Sequence, residues 1–119
     1  LLEETFSIHR LALDASLPEA VSECDFYSLS KTAEEISLVC PENIAVTSEK
    51  SNPDWKCLKV AGPLDFKLTG ILSGITDVLA GEKISIFAIS TFDTDYILIK
   101  REYLTTAVSA LERAGYQFN

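Results

Sequence analysis

The sequence predicts an α+β chain of ferredoxin-like architecture: an antiparallel sheet with helices on one face, in two tandem units of which the first is degenerate. Three observations predict it. Residues 55–118 follow the order β-α-β-β-α-β. Two segments of that half carry apolar residues at helical spacing and end on a glycine. Residues 6–40 repeat the opening of the pattern as strand, short helix, strand, strand, with a poor or missing second helix. The division falls at 1–54 and 55–119. A chain of 119 residues that is 47% hydrophobic can build a real core, so disorder is excluded.

In the first half, residues 6–13 read as a strand with imperfect alternation. Residues 17–23 read as a short helix, with Ser16 as N-cap and Pro18 at its first position. Residues 26–30 and 36–40 read as strands joined by a polar turn at 31–34. Residues 41–53 carry the weakest pattern, and 48–53 (Ser-Glu-Lys-Ser-Asn-Pro) form the best linker candidate.

The second half is more regular. Residues 55–60 read as a strand joining the halves, with Trp55 and Cys57 on one face and Leu58 and Val60 on the other. Residues 61–63 (Ala-Gly-Pro) break it. A helix follows over 70–80, with Thr69 as N-cap, a buried stripe of Ile71, Leu72, Ile75, Val78 and Leu79, and Gly81 as the stop. Residues 84–92 are nearly continuously apolar, which predicts a central strand covered on both faces. Asp93 and Thr94 turn the chain, and 96–100 return antiparallel. The last helix covers 102–114, buries Leu104, Ala107, Val108 and Leu111, and ends at Gly115. Residues 116–118 close as a short edge strand, which could cross to the first sheet.

A net charge of -8 repels phosphate backbones and anionic lipid heads, so nucleic-acid and membrane-surface binding are not expected. Cys24, Cys40 and Cys57 form no C-x-x-C pair, sit in or beside apolar stretches and are odd in number. They read as free thiols of a reducing, cytoplasmic compartment. With a lone His9 and wide cysteine spacing, no zinc site is expected. No apolar run reaches membrane-spanning length, and the start, Leu1-Leu2-Glu3-Glu4, lacks the basic region of a secretory signal.

Two longer stretches are more specific. Residues 62–72 (GPLDFKLTGIL) and 84–96 (ISIFAISTFDTDY) resemble a subfamily of ACT-domain proteins with tandem ACT-like units. That subfamily includes the ACT units of the animal cytosolic arginine sensors. The resemblance is dense over 55–118 and looser over 6–40. It implies regulation by a small molecule, usually an amino acid, held at interfaces between ACT units, with no attached catalytic domain. It places ligand contacts at Asp65, Phe66, Leu68, Thr69, Gly70 and Ile71, and at Thr91, Phe92 and Asp95. Asp65 stands where the arginine sensors have a glycine and Leu68 where they have an acidic residue, while Asp95 is retained. An amino acid is thus implied without arginine being named.

The residues themselves allow this chemistry. A helix beginning near Thr69 and Gly70 presents unpaired N–H groups to an α-carboxylate, although Thr69 could equally just cap the helix while Gly70 packs on the sheet. Asp95 can pair with an ammonium or guanidinium group. Asp93 and Asp95, two apart, would point the same way in extended chain, yet two carboxylates are too few for a metal cage, and hairpin-turn chemistry explains Asp93 as well. Ser90 and Thr91 either bond a ligand or satisfy the sheet end. Phe66 and Phe92 either wall a pocket or belong to the core. Trp55 reads as an anchor, and His9 as structural or exposed with no nucleophile beside it.

The expectation is therefore a cytoplasmic sensor of an amino acid or similar metabolite, without cofactor or metal and without enzymatic activity, homodimeric through sheet edges or helices. The alternative is a ligand-free interaction module. An enzyme ranks third.

Overall fold

In a computed structural model of the chain, residues 1–60 and 71–116 are described. They form strands β1 (Thr5–Leu11), β2 (Ser28–Lys31), β3 (Ile36–Pro41), β4 (Lys50–Lys59), β5 (Ile86–Ser90) and β6 (Asp95–Lys100), and helices α1 (Glu19–Glu23), α2 (Ile71–Gly81) and α3 (Leu104–Arg113). The chain divides into two compact units, Glu4–Trp55 and Leu1–Glu3 with Lys56–Asn119. The division falls inside β4.

In the unit Glu4–Trp55 the strand order is β2-β3-β1, followed by the first part of β4. β3 pairs antiparallel with both neighbours, with Leu11 opposite Ile36, His9 opposite Leu38, and Leu29 opposite Leu38 on the other side. Leu11, Val21, Ile36, Leu38 and Cys40 make the core, so α1 contributes a single anchor, Val21. Phe6 is buried and meets Phe26 edge to face at 5.5 Å between ring centroids.

Two expectations for this half fail. Ser16 does not cap α1. The helix starts at Glu19 after Pro18, which has extended backbone and makes no side-chain cap bond. With no side-chain cap and little more than a single turn, the helix relies chiefly on the burial of Val21. The linker expected over 48–53 is in large part strand. Glu49 N–H donates to Arg10 O at 2.8 Å, and β4 begins at Lys50. The polar side chains of residues 50–53 are exposed, so the hydrophobic pattern is silent there while the backbone pairs. Beyond Pro53, Asp54 takes a left-handed conformation (φ 68°), and its N–H donates to Glu42 Oε2 at 3.2 Å. Proline followed by a left-handed residue bends a strand without ending it.

In the other unit the order is β4-β6-β5. Leu58 from β4, Ile97 and Ile99 from β6, Ile75 and Leu79 from α2, and Ala107 and Leu111 from α3 form one buried cluster, so both helices lie on the same face of this sheet. Ile97, Leu98 and Ile99 are all buried, which makes β6 the strand covered on both faces. β5 was expected to be central. It is instead an edge, shorter than the apolar run that predicted it, and pairs with β6 from Ile86 opposite Ile99 to Ser90 opposite Asp95. Its residues alternate between half-buried and exposed. The run of apolar residues reports composition, and the two strands of a hairpin compete for the centre. β6 wins because β4 pairs with it.

The last helix is entered through a 3₁₀ turn, Arg101–Tyr103, and buries Ala110 in addition to the expected Ala107 and Leu111. Leu104 packs at the edge of the cluster, and Val108 is only half-buried. The expected strand at 116–118 lies outside the described residues from 117 onward. Tyr116 itself packs against the cluster, over Gly74 of α2: a Cβ added there would stand 2.5 Å from the Tyr116 hydroxyl oxygen.

Both long helices end in the same hydrogen-bonded motif on different residues. After α3, Gly115 N–H donates to Glu112 O and Tyr116 N–H to Leu111 O, each at 3.0 Å, with Gly115 left-handed at φ 100°. After α2, Lys83 N–H donates to Ala80 O at 2.9 Å and Ile84 N–H to Leu79 O at 3.0 Å, with Lys83 left-handed at φ 59°. This is the Schellman arrangement, completed by contact of Ile84 with Leu79 in the core. Gly81, expected to be the stop, is the last helical residue, and the left-handed position falls two residues later on a lysine. A side chain there costs about 1 kcal/mol relative to glycine. Lys83→Gly is therefore expected to stabilise the chain by up to about 1 kcal/mol and Gly115→Ala to destabilise it by a similar amount. Urea unfolding of both variants checks this, and shifts of the same sign would contradict it.

Candidate functional site

The site residues that fall in the described chain sit around the β5–β6 hairpin and the start of α2. The hairpin is closed by Thr91 and Thr94. Thr91 N–H donates to Thr94 O at 2.8 Å, the Thr91 hydroxyl donates to the same oxygen at 2.9 Å, and Thr94 N–H donates back to Thr91 Oγ1 at 3.2 Å. The Thr91 side chain thus serves the turn, as short hydroxyl side chains commonly do. Phe92, in the bend, is 81% exposed and contributes nothing to the buried core. Asp93 lies in the same bend rather than in extended chain, so strand alternation does not align it with Asp95.

Asp95 opens β6 and is half-buried. Its carbonyl accepts a hydrogen bond from Val60 N–H at 2.8 Å. Val60 is the last described residue before α2, so it stands beside Asp95 at this end of the sheet. Ile71 opens α2 and packs against the core cluster at its edge. The first turn of α2 holds no acidic residue to oppose an anion. Asp65, Phe66, Leu68, Thr69 and Gly70 lie outside the described residues.

Two features escaped the sequence. His9 is buried, on the β1 face that carries Leu11, and its Nδ1 shares a hydrogen bond with the Ser48 hydroxyl at 3.2 Å. Among the described residues its Nε2 has no partner. Burial lowers its pKa below the ordinary value of 6.5. The signal available was weak: one histidine on an apolar strand face. The second feature is a shallow depression of about 390 Å³ in the unit Glu4–Trp55, walled by Glu4, Glu23, Cys24, Asp25 and Asn43 among others. Its lining comes from α1, its following loop and one end of the β1–β3 pair, where β1 begins and β3 ends, positions that no sequence spacing links. The thiols offer no nucleophile there. Cys24 Sγ donates to Val21 O at 2.9 Å, and buried Cys40 is pushed up to about 11, by burial first and by Cys24 second.

The described residues contain no cluster of His, Cys, Asp or Glu fit to hold a metal ion. No helix among them is long and apolar enough to cross a membrane.

His9 makes stability depend on pH. Its folded pKa lies below the unfolded one, so neutral His9 is favoured by folding. That contribution is complete above about pH 6.5 and is lost as pH falls from there toward the folded value. Measured by urea unfolding, the stability of the native chain is expected to fall below pH 6.5 more steeply than that of His9→Gln, by at most about 1.4 kcal/mol per pH unit. Parallel curves would show that His9 is not the group responsible.

Comparison with known proteins adds to this geometry. A family model described as the ACT domain matches residues 50–113, and one described as an N-terminal domain matches residues 4–48. The cytosolic arginine sensor for mTORC1 subunit 1 of Pongo abelii is 31% identical over 124 residues, covering 95% of this chain and 37% of that protein. The protein of the same name from Homo sapiens is 30% identical over the same shares. The chain thus spans 37% of the length of the curated relatives it matches. Among solved structures, a protein from Agobacterium tumefaciens superposes with a TM-score of 0.85 at 31% identity, over 94% of this chain and 84% of that one. Aspartate kinase from Clostridium acetobutylicum, described as an allosteric enzyme, superposes with a TM-score of 0.70 over 96% of this chain and 34% of that one. At 14% identity that likeness is one of fold.

Proposed function

Because the chain belongs to the ACT-domain family, we propose that it is a regulatory module that binds an amino acid or similar small metabolite, with the ligand's α-carboxylate at the start of α2 and its cationic group at Asp95. The observation that supports this reading is the hydrogen bond from Val60 N–H to the Asp95 carbonyl, 2.8 Å, which sets the half-buried Asp95 beside the last described residue before α2. A helix start without acidic side chains favours an anion, and a carboxylate favours a cation. Together they match a zwitterion. The similarity to proteins named as arginine sensors supports an amino acid as the class.

On this reading Asp65, Phe66, Leu68, Thr69, Gly70 and Ile71 contact the ligand from one side, and Thr91, Phe92 and Asp95 from the other. The protein consists of two tandem ACT-like units, the first degenerate, acts in the cytosol without catalysing a reaction, and assembles with a second copy. The ligand works by binding one arrangement of the protein better than another. The second reading, a pairing module with no ligand, is favoured by the apolar sequence of β5, which is the last strand of its sheet among the described residues.

A thermal-shift screen with each of the twenty amino acids separates the two readings, because a ligand that binds only the folded chain must raise the midpoint. At a hundred times Kd the stabilisation is about 2.7 kcal/mol, a shift of several degrees. For the amino acid so identified, Asp95→Ala is expected to weaken binding about tenfold or more while the unliganded midpoint stays within about 2 °C, since a charge-assisted hydrogen bond is worth about 1.5–3 kcal/mol. Unaltered affinity in Asp95→Ala would remove Asp95 from the site.

A further inference from the structure

β3 and β4 flank β1, and the chain passes from one to the other through residues 42–49. This is where the expected second helix of the first half is missing. Glu42 N–H donates to Thr5 O at 2.9 Å and Glu49 N–H to Arg10 O at 2.8 Å, so the segment starts beside one end of β1 and finishes beside the other. Between those ties it is an extended strap. Ile44, Val46 and Ser48 are half-buried, while Ala45 and Thr47 between them are exposed. Ile44 and Val46 pack against the core cluster that holds Leu11, Val21 and Leu38. A helix in this place would satisfy its own backbone. The strap does not: among the described residues, residues 45–48 make no backbone hydrogen bond. Two half-buried apolar side chains and the Ser48 hydroxyl hold its middle. A segment held so lightly opens before the hydrogen-bonded strands beneath it.

Ser48 fastens the strap to the His9 ring, and the ring is accommodated there only while neutral. Nδ1 meets the Ser48 hydroxyl, and Nε2 is buried without a partner among the described residues. An imidazolium carries a donor on each nitrogen and needs a second acceptor at Nε2. No neighbouring charge compensates. Arg10 lies on the opposite face of β1 by strand alternation, and Cys40 on β3 is a thiol that stays protonated. Glu42 and Glu49 at the strap's ends, Glu19 and Glu23 on α1 and Lys50 on β4 are exposed, and Asp54 on β4 is half-buried. Burial alone lowers the pKa of His9. Water is the acceptor left for a charged ring, and the strap is the cover that can move to admit it. We propose that the strap is an acid-released latch: protonation of His9 lifts residues 44–48 from the face of β1 while β1, β2 and β3 stay paired. The chain length allows it. Thr5 to Arg10 covers about 17 Å of strand, and the chain from Glu42 to Glu49 can reach up to about 25 Å, so the strap rises without breaking either end tie. The latch belongs to the Glu4–Trp55 unit and is independent of the ligand reading, whose residues lie in the other unit.

NMR of the full chain from about pH 8 to about pH 5 tests the latch. The ring protons of His9 report its own titration, with an expected midpoint below 6.5. With an uncharged paramagnetic chelate in solution, the methyl groups of Ile44 and Val46 are expected to relax severalfold faster on the acid side, at the same midpoint. The inter-strand amides of β1 and β3 are expected to keep their protection factors. His9→Gln, which cannot take the charge, is expected to keep the strap closed over the whole range. Ser48→Ala removes the fastening and leaves His9 in place, so its opening is expected to move up toward pH 6.5. A ring that stays neutral throughout, a ring that titrates while the Ile44 and Val46 methyl groups stay shielded, or loss of the β1–β3 amides at the same midpoint would each overturn the latch. So would acid opening that persists in His9→Gln, or an unmoved midpoint in folded Ser48→Ala.

Discussion

A single backbone hydrogen bond, Val60 N–H to Asp95 O at 2.8 Å, fixes how the two ends of the sheet strands meet in the Lys56–Asn119 unit. It holds the end of β4 against the start of β6, so Val60 lies beside the half-buried Asp95. The bond is kept in place by what lies behind it. Ile97 and Ile99 of β6 share a buried cluster with Leu58 of β4 and with Ile75 and Leu79 of α2. Sliding β6 by one residue would turn Ile97 and Ile99 away from the helices, which fixes the register and with it the position of Asp95.

The helix ends serve the same purpose. Both long helices close with a left-handed residue and a return contact to the core, Ile84 after α2 and Tyr116 after α3. The first sends the chain from α2 into β5, so the hairpin bearing Thr91 and Asp95 leaves a helix of fixed length. The second lays Tyr116 on Gly74, where a larger residue would displace it. A lysine at the first of these left-handed positions tolerates strain that a glycine relieves at the second.

The second half of the fold was legible because its side chains are patterned. Ile71, Ile75 and Leu79, then Ala107 and Leu111, mark helices that bury one face, and Gly115 marks a stop that needs positive φ. What failed shares a cause: it was decided by backbone or by partners that spacing does not report. The polar residues 50–53 join β4 through pairing with β1. The apolar residues 84–92 were read as a central strand, yet β5 is an edge because β4 pairs with β6. Ser16 and Gly81 have the right chemistry for cap and stop, but the chain folds α1 and α2 with ends two or three residues away. Asp95 was singled out by resemblance and hairpin position, and it stands at the start of β6. The Thr91 hydroxyl was read as an even choice between ligand and sheet end, and its two short contacts with Thr94 put it in the turn that closes the hairpin. His9 gave only the weak signal of a histidine on an apolar strand, and Glu4 and Asn43 gave none, since their surroundings form only when distant strands meet.

The physical core of the functional reading is that one small zwitterion bridges the backbone at the head of α2 and the carboxylate of Asp95. Amide chemical-shift mapping of the ¹⁵N-labelled chain, titrated with each amino acid in turn, tests it most directly. The reading requires that one of them saturates and moves the amides of Gly70, Ile71 and Asp95 together while leaving those of β2 and β3 in place. Saturable shifts confined to the Glu4–Trp55 unit, or an unmoved spectrum with all twenty, would contradict it.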